Sequence, residues 1–295
     1  MIVIGTRGSK LALAQAHWVS GELRTRGLEN EVRILKTKGD IVQDRFDKME
    51  GKGFFTREIE DALQQGDIDL AVHCLKDLPT DDTPGLKIAA ITEREDPYDV
   101  IISAKALPTN ADGDLDLNGL NIGTSSNRRV QALARLHPQA TFSPIRGNVP
   151  TRIAKMERGE ADAVVLARAG LNRLDLDLSA LHVYDAKPPM MIPAPGQGAL
   201  ALQIRESDER DYPFFNHEMT AACVNAERRI LNQLEGGCQL PLGVLIRQQD
   251  DHFHMSLFLG VREGERGEPL MFEETGDSPA TLAEGAMQRI QEHQT

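Results

Sequence analysis

Met1-Ile2-Val3-Ile4-Gly5-Thr6-Arg7-Gly8-Ser9-Lys10 sets a short apolar run against a polar, glycine-containing loop, and the residues after it carry apolar side chains at Leu13, Ala16, Val19 and Leu23. An apolar run of strand length followed by an apolar stripe at helical spacing is the βα unit of an α/β fold. The same alternation continues to about residue 170. Strands are expected over 2–5, 31–36, 69–73, 87–92, 120–124 and 162–167, with helices over 9–26 and 56–65 that stop at Gly27 and Gly66. Glu95-Asp96-Pro97-Tyr98-Asp99 breaks the pattern and marks a crossing into a second, similar α/β domain. Another crossing is expected between Lys187-Pro188-Pro189 and Pro193-Ala194-Pro195, after which Gly198 to Ile204 reads as a strand returning to the first domain. Beyond Asn216 a helix (217–234), two strands (242–247 and 253–261) and a last helix (279–292) read as a smaller α+β domain with an antiparallel pair.

The chain has 295 residues, 40% of them hydrophobic and 26% charged, the composition of a globular protein with more than one core. Met1 to Gly5 leads straight into a polar loop with no basic start or cleavage site, and no apolar stretch is long enough to span a bilayer, so the expected location is the cytoplasm with no membrane partner. Cys74, Cys223 and Cys238 stand at wide, irregular spacing that makes neither a disulfide framework nor a zinc motif. His252 and His254 share a strand face, but no further ligand stands at metal spacing, and no metal is expected. The formal charge of −12 argues against general nucleic-acid binding. That average hides a reversal: residues 128–173 hold nine basic side chains against three acidic ones. Several of these arginines fall beside turns or helix starts, which suits convergence on an anion site; scattered solubilising arginines are the plainer reading.

Four stretches carry chemistry. Gly5-Thr6-Arg7-Gly8-Ser9-Lys10 joins a strand to a helix and offers N–H groups, a hydroxyl and a guanidinium to a carboxylate or phosphate, without the spacing of a nucleotide loop. Gly123-Thr124-Ser125-Ser126-Asn127-Arg128-Arg129 does the same with two guanidiniums, which a simple helix cap does not explain. His73-Cys74-Leu75-Lys76-Asp77-Leu78-Pro79 ends a strand, where ligands of open α/β sheets bind, so Asp77 reads either as an acid or base or as a cap or ion-pair partner of Lys76. Glu235-Gly236-Gly237-Cys238-Gln239 follows a helix, and Cys238 reads either as a covalent handle freed by two glycines or as a small hydrophobe after a helix cap. Arg146-Gly147-Asn148, Arg152 after Pro150, and Gly196-Gln197-Gly198 add to the inventory.

The ordered set of these stretches, with Thr37-Lys38-Gly39-Asp40, Gly51-Lys52-Gly53-Phe54-Phe55, Glu93-Arg94-Glu95-Asp96-Pro97 and Leu166-Ala167, resembles the porphobilinogen deaminase (hydroxymethylbilane synthase) family over nearly the whole chain. The resemblance implies two periplasmic-binding-protein-like α/β domains around a cleft plus a smaller α+β C-terminal domain, with boundaries here at 1–94 with 196–213, 95–195 and 214–295. It implies a monomeric enzyme that joins four porphobilinogen molecules head to tail, releasing ammonia, on a dipyrromethane primer bound covalently to Cys238. Asp77 matches the family's catalytic aspartate. Lys76, Ser126, Arg128, Arg129, Arg146, Gly147 and Arg152 match residues that bind the cofactor, and Arg7, Ser9, Gln15, Arg173 and Gln197 match residues that bind substrate. Lys52 and Phe55 fall in the family's mobile loop over the cleft.

Some positions depart from the commoner pattern: Cys74 stands for serine, Asn127 for leucine and Gln203 for an acid, and the last domain is short. A non-catalytic two-lobed anion-binding protein would account for the arginines but not for Gly236-Gly237-Cys238 or Asp77. A hydrolase using Cys238 with His73 or His217 would leave the arginines without a role.

Overall fold

The computed structural model describes residues 1–35, 56–234, 240–262 and 264–294. Lys52, Phe55 and Cys238 lie outside the described residues. The chain divides into two compact units, Met1–Glu95 with Gly198–Ala222 and Asp96–Gln197 with Cys223–Thr295.

The first unit runs β1 (Ile2–Arg7), α1 (Lys10–Thr25), β2 (Asn30–Leu35), α2 (Arg57–Gln65), β3 (Leu70–Cys74) and β4 (Leu86–Ile91). The second begins with β5 (Asp99–Ser103) and continues through β6 (Asn121–Gly123), α3 (Asn127–Leu136), β7 (Thr141–Ser143), α4 (Val149–Glu157), β8 (Ala163–Ala167), α5 (Arg168–Leu174) and β9 (His182–Ala186). The chain then supplies β10 (Leu200–Arg205) to the first unit.

The resulting sheets have orders β2-β1-β3-β10-β4 and β7-β6-β8-β5-β9. In each, three parallel strands meet one antiparallel strand, β10 in the first and β5 in the second. The remaining elements, α6 (Glu218–Gln233), β11 (Leu242–Gln249), β12 (His252–Leu259), β13 (Leu270–Gly276) and α7 (Pro279–Gln294), include a separate antiparallel sheet β11-β12-β13.

Alternation along β3 shows why its sequence reads as one apolar run. Leu70 and Val72 pack with Ala16, Val19 and Leu23 of α1, whereas Ala71 packs with Ile59, Ala62 and Leu63 of α2. A strand covered by helices on both faces needs apolar side chains at every position. Full burial of a single leucine such as Leu23 contributes roughly 1.5–3 kcal/mol. Helix α1 starts where Ser9 Oγ accepts the Ala12 N–H at 3.2 Å, and α2 ends at Gly66 in the left-handed conformation.

Four strands were not among those expected from the sequence. Strand β5 begins inside the segment read as a crossing, because Pro97 signals a turn while the pairing of Asp99–Ser103 with β8 and β9 is nonlocal. Strands β7 and β9 are short and partly exposed at the edges of their sheet. In β13, Glu273, Thr275 and their neighbours give an edge strand with little apolar signature, so the expected antiparallel pair becomes three strands.

Candidate functional site

In the first unit, the carboxyl ends of β1 and β3 open on a cavity of about 100 Å³ lined by Arg7, Ser9, Gln15, Thr56, His73, Cys74 and Asp77, among others. The chain leaves β3 through a single 3₁₀ turn, Leu75–Asp77. That turn is held at its start by the Leu75 N–H on Ala199 O (3.0 Å) and closed by the Leu78 N–H on Leu75 O (3.2 Å). Asp77 is exposed at its end, while Lys76 is half-buried. Four sequence-predicted residues thus meet in one cavity: Arg7, Ser9, Gln15 and Asp77. Gln15, from α1, donates its side-chain N–H to Cys74 Sγ at 3.1 Å.

His73 belongs to the same wall and is 5% exposed. Burial pushes its imidazole below the ordinary histidine value, against the opposing pull of Glu60, Gln203 and Asp77.

In the second unit the predicted arginines divide. Arg128 and Arg129, in the first turn of α3, are buried and turned inward onto Asp99. Arg128 Nη1 donates to Asp99 Oδ2 (2.8 Å) and to Ile192 O (2.7 Å). Arg129 Nη2 donates to Asp99 Oδ1 (2.7 Å) and its Nη1 to Val165 O (2.8 Å). Gln197 is also buried, and its Nε2 donates to Pro97 O (2.7 Å) and Asp99 Oδ1 (3.0 Å). Burial alone would raise the Asp99 carboxyl; the two guanidiniums outweigh it and hold the group well below the usual carboxylate range.

Arg146 and Arg152 flank the start of α4 and are half-buried. Arg152 Nε donates to Gly147 O at 2.7 Å. Gly147 has φ +115°, and a Cβ there would come within 2.7 Å of the Thr151 side chain, so glycine is required on both counts. Asn148 caps α4 by accepting the Thr151 N–H at 2.9 Å. Ser126, by contrast, makes no side-chain cap bond to α3. Arg173 is half-buried in α5.

Elsewhere in the basic window Arg158 pairs with Glu160 (2.8 Å) and Arg168 with Asp185. Asp99 and Glu60 were missed by sequence reasoning, and Gln203 was noted there only as a departure from the commoner pattern. Only the apolar run Val100-Ile101-Ile102 after Asp99 signalled that this aspartate opens a strand. His252 and His254 each face a carboxylate, Asp277 (3.4 Å) and Glu273 (3.7 Å). Among the described residues no group of three or more His, Cys, Asp or Glu could hold a metal ion, and no helix is long and apolar enough to cross a membrane.

Two family models match in succession: porphobilinogen deaminase, dipyromethane cofactor binding domain, over residues 2–212, and porphobilinogen deaminase, C-terminal domain, over residues 221–288. The chain belongs to the porphobilinogen deaminase family. It is 44% identical to a porphobilinogen deaminase of Nitratidesulfovibrio vulgaris over 90% of this chain and 85% of that protein. It is 39% identical to one of Listeria monocytogenes over 95% and 91%. Among solved structures, the periplasmic VFT2 domain of Bordetella pertussis BvgS is similar at a TM-score of 0.40 and 17% identity, covering 70% of this chain and 80% of that one. That likeness is too weak to bear on fold or function.

Proposed function

We infer that the chain is a hydroxymethylbilane synthase: it condenses four porphobilinogen molecules head to tail, releases four ammonia, and frees the linear tetrapyrrole by hydrolysis. The family match over nearly the whole chain carries this reading.

The side chains fit a carboxylate-bearing oligopyrrole cofactor. The starts of α3 and α4 offer helix N-termini, and Arg146 and Arg152 stand half-buried beside the second. Arg128 and Arg129 face one carboxylate between them, which leaves a net positive charge under the first. When bound, dipyrromethane supplies the chain end to which rings are added. Cys238 would anchor it, with Lys76, Ser126, Arg128, Arg129, Arg146, Gly147 and Arg152 holding its side chains or shaping the loops that do.

In the first unit the cavity supports the following roles. Arg7 and Ser9 would receive a substrate carboxylate, and Gln15 orients by its amide. Asp77 presents a carboxylate to the positive charge that develops as ammonia leaves, and takes the ring proton after the new carbon–carbon bond forms. Arg173 and Gln197 complete the substrate set, Gln197 by bracing Asp99. By the motif resemblance, Lys52 and Phe55 would help cover the substrate. The chain would act as a monomer in the cytoplasm.

Intact-protein mass spectrometry under denaturing conditions, on the wild type and on Cys238→Ser, tests the reading. The expected result is a mass excess of two substrate-derived pyrrole rings on the wild type alone. An unmodified wild type that gains no mass with porphobilinogen would overturn it in favour of a reversible anion-binding protein.

A further inference from the structure

The β3–β10 ladder pairs His73 with Ala201 and Ala71 with Gln203, so Gln203 is the diagonal neighbour of His73 on one face of the sheet. That is the face covered by α2, because Ala71 packs there. Gln203 Oε1 lies 3.1 Å from His73 Nε2, and Gln203 Nε2 donates to Glu60 Oε1 at 3.0 Å. Glu60, from α2, also accepts Thr83 Oγ1 (2.8 Å) and Thr56 Oγ1 (3.4 Å). His73, Gln203 and Glu60 are all buried. At Gln203 the pairing of β10 with β4 slips, Leu202 facing Ala90 and Gln203 facing Ile88, the kind of irregularity that re-aims a side chain.

Donor and acceptor chemistry gives this chain one direction. A carboxylate only accepts, so Glu60 fixes the amide of Gln203 with its NH₂ toward α2 and its carbonyl toward His73. A carbonyl also only accepts. The imidazole must therefore carry its proton on Nε2, and a neutral ring then keeps its lone pair on Nδ1. We propose that Glu60 and Gln203 hold His73 as a neutral, Nε2-protonated imidazole in the wall of the Asp77 cavity, so that His73 acts as a positioning residue that leaves the Asp77 charge for the substrate.

The consequence for Asp77 rests on the function proposed above, in which the carboxylate meets a cationic substrate. An imidazolium in the same wall would compete for that carboxylate. Among the described residues, the charged groups that act on His73 are Glu60 from α2 and Asp77 from the turn after β3; Arg7 from the end of β1 lines the same cavity, and Cys74 is the chain neighbour of His73. Burial opposes protonation of the ring and outweighs the two carboxylates, in keeping with the neutral form.

The test is ¹⁵N NMR of ring-labelled histidine in the primer-bearing full chain, with His73→Gln assigning the resonance. A neutral ring protonated on Nε2 at pH 7 is expected; an imidazolium, or a proton on Nδ1, overturns the proposal without any variant. Gln203→Glu puts a carboxylate against Nε2 in place of the neutral amide carbonyl and should raise the His73 titration midpoint by about one unit. The ratio of kcat at pH 6.5 to kcat at pH 8.5 should then fall below the wild-type ratio, by up to about fivefold, with KM nearly unchanged. A midpoint and pH profile that match wild type overturn the proposal. Porphobilinogen consumption by the same wild-type sample separates the two readings: an Nε2-protonated ring in a protein that consumes none supports the relay and sinks the proposed function.

Discussion

The two five-stranded sheets share a strand order and use their carboxylates in opposite ways. In the first, Asp77 is displayed on a short turn beyond β3, exposed to the cavity, and the buried polar groups behind it form a relay of amide and imidazole. In the second, Asp99 opens the antiparallel strand β5, is fully buried, and binds two arginines and a glutamine. One carboxylate is left exposed to the cavity and the other is consumed by structure. Charge identity alone does not separate catalytic from architectural residues; the position on the sheet and the number of committed partners do.

The largest expected effect breaks the comparison on the catalytic side. Asp77→Asn should lower kcat by about 10²–10⁴-fold, the range for a lost acid–base group. Its folding stability should stay within about 0.5 kcal/mol of wild type, as for an exposed site with no structural role. A variant that is fully active in steady-state assays would remove Asp77 from the mechanism.

Asp99→Asn should do the reverse. Loss of the charge strands two buried guanidiniums and should cost about 3–5 kcal/mol in denaturant unfolding. A cost below about 1 kcal/mol would show that the cluster does not brace α3.

Acid should act on the Asp99 cluster. The Asp99 carboxyl is depressed in the folded chain, so its stabilisation is complete above the unfolded aspartate value of about 3.9 and is lost as pH falls below that toward the folded value. The gap in urea midpoint between wild type and Asp99→Asn should therefore hold from pH 6 to about pH 4 and start to narrow by about pH 3, without closing there. A constant gap would contradict the assignment.

The smallest effects compare the two serines before α1 and α3. Ser9→Ala removes the bond to the Ala12 N–H and should cost about 1 kcal/mol. Ser126→Ala removes no cap bond and should cost less than about 0.5 kcal/mol, so a primer-retention defect in that variant would report on ligand binding alone.

Much of this organisation is written locally. Strands β1, β3, β8 and β10 are apolar runs bounded by glycines or charged turns, and Gly27 and Gly66 end α1 and α2 as the sequence indicates. Asp77 was legible as a cleft candidate because a polar cluster directly follows a strand, while its proposed catalytic role rests on the motif resemblance. The inward turn of Arg128 and Arg129 was not, since it depends on Asp99, which is distant in sequence and stands behind a proline in a segment that reads as linker. Glu60 and Gln203 were hidden for the same reason: one lies on a helix with a mixed polar face, the other in a strand, and only the β3–β10 register makes them neighbours of His73. Cys238, Lys52 and Phe55 rest on the motif resemblance.

Strand β10 has a consequence for synthesis of the chain. Among the described strands of the first sheet β4 pairs only with β10, so within that set β4 has no strand neighbour until Leu200–Arg205 has left the ribosome. At roughly 5–20 residues per second, the span from Ile91 to Arg205 takes on the order of 10 s to translate. The second sheet, built from the uninterrupted span between Asp99 and Ala186, can be complete before the first one closes. During that interval the apolar edge of β3 stands open to other nascent chains, and the part of the molecule that begins the sequence is the part most exposed to a chaperone.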